Sequence, residues 1–112
     1  MFLNRAASVE RAVALIAEAA AGGARIVAFP ETWLPGYPLW LDESPGAALW
    51  DHPPAKELYR LLVEISITLP GPDSDRLRDA CREHGTQVVM GAHERRGGSL
   101  YNALLIYGTD GA

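Results

Sequence analysis

Gly23-Ala24-Arg25-Ile26-Val27-Ala28-Phe29-Pro30-Glu31-Thr32-Trp33-Leu34-Pro35-Gly36-Tyr37-Pro38 carries most of what this chain says about itself. Arg25 to Phe29 is a short apolar run without polar alternation, closed by Pro30, and predicts a strand buried on both faces. Before it, Val9, Ala12, Val13, Ile16, Ala17 and Ala20 recur at helical spacing, which predicts a helix from a Ser8 cap to about Ala21. Gly22-Gly23 stops that helix. Helix, tight turn, buried strand is the rhythm of an α/β protein. Glu31 then falls just past the C-terminal end of a strand, where α/β sheets place their sites. A carboxylate dried by the neighbouring Pro, Trp and Tyr residues would have a raised pKa and suit general-base work. Position alone equally allows a solvated loop carboxylate, or one capping a nearby turn.

Further along, residues 30–54 hold six of the prolines and all three tryptophans, predicting a long, apolar, irregular segment that packs on something or lines a pocket. Helical spacing resumes from Lys56 to about Ile67, and Leu69-Pro70-Gly71-Pro72 breaks it. A further helix is predicted from Asp73 or Ser74 to about His84, with Leu77, Ala80 and Cys81 on its inner stripe and Gly85 as its stop. Thr86 to Gly91 reads as a second buried strand, Glu94 to Gly98 as a turn, and Leu100 to Tyr107 as a third strand. Thr109-Asp110-Gly111 is a turn signal with no returning strand, and no strand precedes the first helix, so both ends are expected to be incomplete.

Composition narrows the function classes. At 112 residues, 48% hydrophobic and 21% charged, the chain is at most one ordinary soluble domain. A net charge of −4 argues against a nucleic-acid partner, which calls for a basic patch. No apolar run nears the roughly 18 residues of a membrane span, and the N-terminus lacks the apolar core of a signal peptide. The single cysteine, Cys81, excludes an internal disulfide framework and a multi-Cys metal site, so the cytoplasm is the expected compartment.

The segment from Gly23 to Pro38 resembles the first signature of the nitrilase (carbon–nitrogen hydrolase) superfamily in its nitrilase-branch form. The matching positions are Gly23, Ile26-Val27, Phe29, Glu31, Leu34 and Gly36-Tyr37-Pro38. Residues 3–29, the turn Leu69-Pro70-Gly71-Pro72, and the pair Gly91-Ala92-His93-Glu94-Arg95 with Tyr101-Asn102-Ala103-Leu104-Leu105 resemble further parts of that family. The likeness runs along nearly all of this chain but matches only about the first third of the family's length. It implies an α/β fold, part of a four-layer α-β-β-α sandwich, with residues 1–112 a partial nitrilase domain incomplete at the C-terminus and at the N-terminus. It also implies a Glu–Lys–Cys set in which Glu31 is the general base, a thiolate attacks a nitrile or amide carbon, and the lysine stabilises developing charge. No metal and no organic cofactor is implied. The substrate would be a small nitrile, with an amide (the amidase or carbamoylase reading) as the alternative, and the parent enzyme would form a homo-oligomer.

Where the chain departs from the family, it lacks counterparts of the lysine and cysteine motifs. Lys56, the only lysine, matches no motif, and Cys81 reads as a small core residue rather than a nucleophile. The chain alone is therefore expected to be inactive. A non-catalytic product with a binding or assembly role is the competing reading. Tyr37, inside the signature, is a candidate for substrate binding, and Trp33, Trp40 and Trp50 either line a pocket or pack the loop. His52, His84 and His93 read as ordinary surface or cap histidines, Asp73 and Asp75 as helix-start residues, and Glu94 as a turn residue.

Overall fold

The computed structural model describes residues 2–49 and 51–112. The elements run α1 (Arg5–Ala21), β1 (Ile26–Leu34), α2 (Trp40–Glu43), α3 (Pro53–Ile65), α4 (Pro72–His84), β2 (Gln87–Arg96) and β3 (Ser99–Tyr107). The strands form one sheet in the order β1-β2-β3, with β1 parallel to β2 and β2 antiparallel to β3. The protein is thus of mixed α/β class, as the alternation of periods predicts.

Local chemistry explains most of the helix ends. Asn4, not Ser8, caps α1: its backbone is extended and its side chain accepts from the Ala7 N–H at 3.0 Å. Ser8 instead lies buried one turn in. α3 starts earlier than its apolar spacing suggests, because Pro53 and Pro54 occupy first-turn positions where a missing N–H costs nothing and His52 caps the Ala55 N–H. It stops at Ile65, and Ile67 forms a short parallel bridge with Glu94. In α4, Pro72 opens the helix and Gly85 ends it in the left-handed conformation at φ 59°.

The sheet is covered on one face. Val27 and Phe29, Val88, Met90 and Ala92, and Ala103, Leu105 and Tyr107 turn inward onto Ile16 of α1 and Leu77, Ala80 and Cys81 of α4. Cross-strand partners share a face in a β-ladder, so the opposite face carries Val89 with Ile106, Gly91 with Leu104 and His93 with Asn102. There Ile26, Leu104 and Ile106 are 59%, 62% and 69% exposed. The expectation of strands buried on both faces is therefore corrected: one helix layer lies on one sheet face, and among the described residues the other is open over Ile26, Leu104 and Ile106. A smaller cluster of Trp40, Ala47 and Leu62, with Leu58 and Leu100 against it, joins α2 and α3 to the start of β3.

Two further expectations are revised. β1 does not end at Pro30 but runs, with an irregularity, to Leu34, since an edge strand tolerates a residue that cannot donate. The stretch predicted as wholly irregular therefore contains a strand end and the short α2. β2 runs to Arg96, so the turn to β3 shrinks to Gly97-Gly98, with Gly97 at φ 59°.

Candidate functional site

β1 leaves register with β2 at the signature glutamate. Ile26 to Phe29 pair with Gln87 to Met90, and the next matched pair is Leu34 with Ala92. Residues 30–33 of β1 thus face Gly91 alone, an irregularity that re-aims a side chain. Within it Thr32 takes φ 51°, a left-handed conformation that a β-branched residue rarely adopts. The crossing is possible only because Gly91 has no side chain: a Cβ there would sit 2.1 Å from the Pro30 carbonyl oxygen and 2.7 Å from the Glu31 Cα. Gly91 therefore lets the β1 backbone cross closely where Glu31 leaves the ladder.

Glu31 projects on the open face. Its Oε1 accepts a hydrogen bond from Asn102 Nδ2, although the two residues lie far apart in sequence. Glu31 is exposed, so among the described residues the apolar enclosure expected around it is not built. Asn102 pairs across the ladder with His93. His93 is 8% exposed, and burial pushes its imidazole below the usual histidine range, opposed by a backbone hydrogen bond with Gly36 and by the charge of Glu31. Tyr37 is half exposed; its hydroxyl bonds Asp42, and that bond and charge, with Glu31 adding, raise the phenol above its ordinary value. Glu31 is thus electrostatically felt by both His93 and Tyr37.

The other predicted residues fall elsewhere. Cys81 is fully buried between α4 and the covered sheet face, opposite to Glu31, and burial raises its thiol. Lys56 lies on α3 and pairs with Asp51. Trp33 packs its ring on Phe29 at 4.8 Å, and Trp40 is buried in the smaller cluster. Trp50 lies outside the described residues. His52 is a cap as predicted, but His93 is not a surface histidine: the extension of β2 carries it into a buried position. The same extension corrects Glu94, a strand residue 6% exposed and bonded to Arg96 Nη2 at 2.8 Å. Among the described residues, no three His, Cys, Asp or Glu side chains converge as a metal site would require. No described helix is long and apolar enough to cross a membrane.

Sequence reading missed Gly91, His93 and Asn102. The signal was present for Asn102, a lone amide inside an otherwise apolar strand, and for Gly91, a glycine inside a strand pattern, which marks a bulge or a close backbone approach. Taken together, the site is a carboxylate displaced from an edge strand and oriented by an amide donor from the far strand. Such a group can take and return a proton.

The carbon-nitrogen hydrolase family matches residues 2–112, and the chain belongs to that family. It is 43% identical over 113 residues to an aliphatic nitrilase of Rhodococcus rhodochrous, covering 99% of this chain and 29% of that protein. It is 42% identical to a nitrilase of Pseudomonas syringae pv. syringae, covering 90% of this chain and 28% of that protein. A bromoxynil-specific nitrilase of Klebsiella pneumoniae subsp. ozaenae is 36% identical over 99% of this chain and 30% of its own length. The chain thus spans about three-tenths of the length of these relatives.

Proposed function

We propose that residues 1–112 are the glutamate-bearing portion of a nitrilase-type hydrolase that converts a nitrile and two waters into a carboxylic acid and ammonia. Glu31 is the general base. It takes the proton of a cysteine thiol supplied from outside these residues as sulfur bonds to the nitrile carbon, then activates the water that releases the acid. A lysine, also from outside these residues, stabilises the developing negative charge. Tyr37, whose phenol senses Glu31, contacts the substrate. One observation supports this reading above the rest: the signature glutamate is displaced onto the open sheet face and held there by Asn102, where a second layer bringing the thiol can meet it.

The nitrile is favoured over an amide by Gly36-Tyr37-Pro38, the nitrilase-branch ending of the signature. We further infer that the complete enzyme is a homo-oligomer in the cytoplasm, the oligomer from the family likeness and the compartment from the free thiol of Cys81. The 112-residue chain by itself releases no ammonia, because its one cysteine is buried away from Glu31.

The test is a chimera in which residues 1–112 replace the matched stretch of the Rhodococcus rhodochrous nitrilase. Ammonia release is followed from a panel of nitriles and the corresponding amides. The folded chimera is expected to release ammonia faster from nitriles than from amides. Glu31→Gln should lower kcat by about a hundredfold or more. A Glu31→Gln chimera as active as its parent, or ammonia from the 112-residue chain alone, overturns the reading.

A further inference from the structure

Glu31 lies on the stretch of β1 that is out of register with β2, so its own strand fixes it poorly. Its long side chain is exposed, and no packing selects one rotamer for it. A base left free in this way spreads over many positions, and a misplacement of about 1 Å at a reacting centre costs about a hundredfold in rate. A group outside β1 must therefore hold it. Among the described residues, the hydrogen bond to its carboxylate comes from Asn102 Nδ2 on β3.

Asn102 has the fixed backbone that Glu31 lacks. β3 is paired with β2 residue by residue from Val88–Tyr107 to Arg96–Ser99, with Asn102 opposite His93 and no break in register. The donor thus stands on the regular ladder and the acceptor on the irregular one. An ionised carboxylate only accepts, so the amide must turn its nitrogen, not its oxygen, toward Glu31. That donor is neutral. It holds the carboxylate without the full positive charge of a lysine or arginine, which would favour the unprotonated form and weaken a proton acceptor. The bond goes to Oε1 and leaves Oε2 uncommitted among the described residues.

We propose that Asn102 is the positioning residue of the hydrolytic base: it anchors Oε1 of Glu31 and so reserves Oε2 as the oxygen that accepts the thiol proton. This role rests on Glu31 being the base. As sulfur bonds to the nitrile carbon, the S–H proton passes to Oε2, and the electron pair of the broken π bond goes to the nitrile nitrogen.

The test compares the same chimera, with residues 1–112 in the Rhodococcus rhodochrous nitrilase, with its Glu31→Gln, Asn102→Leu and Asn102→Asp variants. Asn102 is exposed, so neither change at that position opens a cavity. Asn102→Leu is expected to lower kcat by about tenfold or more and to leave KM within about twofold. In Asn102→Asp the new carboxyl donates to Oε1 only when protonated, and the carboxylate beside it favours that protonation. Its kcat relative to the parent chimera should be low at about pH 8 and rise by about threefold or more toward about pH 5.5, while the Asn102→Leu ratio stays flat. Glu31, Tyr37 and His93, the titratable groups around the position, are shared by the parent and both Asn102 variants, so the ratio isolates the new carboxyl. With Glu31→Gln inactive, an Asn102→Leu chimera as fast as its parent, a loss confined to KM, or an Asn102→Asp ratio that ignores pH overturns the role of Asn102 and leaves Glu31 as the base. A fully active Glu31→Gln chimera overturns the base itself.

Discussion

Replacing Gly91 by alanine should dislodge the one segment that displays Glu31. The added Cβ would lie 2.1 Å from the Pro30 carbonyl oxygen and 2.7 Å from the Glu31 Cα, where real contacts of this kind stay above 3.0 Å. Both obstructing atoms belong to the backbone of β1, so no side chain can swing aside. β1 must withdraw from β2 by about 0.9 Å, the gap between 2.1 and 3.0 Å, while Leu34 and Phe29 on either side hold it in register. Overpacking of this kind costs about 1–3 kcal/mol, and the absence of any flexible neighbour puts the expected value near 3 kcal/mol. With a urea dependence of about 1.5 kcal/mol per molar, the unfolding midpoint drops by about 2 M. Tryptophan fluorescence reports it, since Trp33 packs on Phe29 inside the affected strand. The same withdrawal pulls Glu31 off Asn102, which the side-chain amide signal of Asn102 registers separately. Gly98→Ala is the control, because a Cβ there meets nothing within 4 Å. A Gly91→Ala chain whose midpoint matches that of Gly98→Ala would refute the close-crossing account of how Glu31 is displayed.

Three other outcomes follow from buried polar groups. Tyr107→Phe removes the 3.0 Å bond between its hydroxyl and Ser74 Oγ and should cost about 1 kcal/mol in denaturant unfolding, because the Ser74 hydroxyl stays buried without its partner. His93, whose folded pKa is depressed, binds its proton less readily than in the unfolded chain. Its contribution to stability is therefore full above about pH 6.5 and is lost as the pH falls from there through its own lower midpoint, by at most about 1.4 kcal/mol per pH unit. His93→Gln should flatten unfolding free energy against pH across that window, and an unchanged slope would remove His93 as its source. Cys81 is fully buried with a raised thiol, so a disulfide reagent should label it only at denaturant concentrations that unfold the chain.

How far the residues announced this arrangement depends on the range of the forces involved. Helices α1 and α4 were legible because their apolar stripes repeat every turn, and the strands because their apolar runs are bounded by glycine and proline. Their ends were legible only where a cap is chemically explicit, as at Gly85; the start of α1 was placed at Ser8, whereas Asn4 caps it one turn earlier. Pro30 misled for a tertiary reason: a proline closes a central strand but not an edge strand, and no local pattern says which one β1 is. Glu31 stood out by its place in a dense signature. Its partner did not, since a bond from Asn102 is fixed by the β2–β3 register and not by spacing along the chain. His93 and Glu94 were hidden by the length of β2, whose charged end looks like a turn until β3 and Ile67 pair with it.

The two ladders of the sheet also differ in how long the chain must wait for them. β2 and β3 are joined through Gly97-Gly98 and zip as a local hairpin, an event of about microseconds. β1 meets β2 across roughly sixty intervening positions, so its docking requires the closure of a long loop that contains α3 and α4. Asn102 is therefore in place first, on a preformed ribbon, and Glu31 arrives last. On refolding, the bond between Asn102 and Glu31 waits on the slower of the two closures.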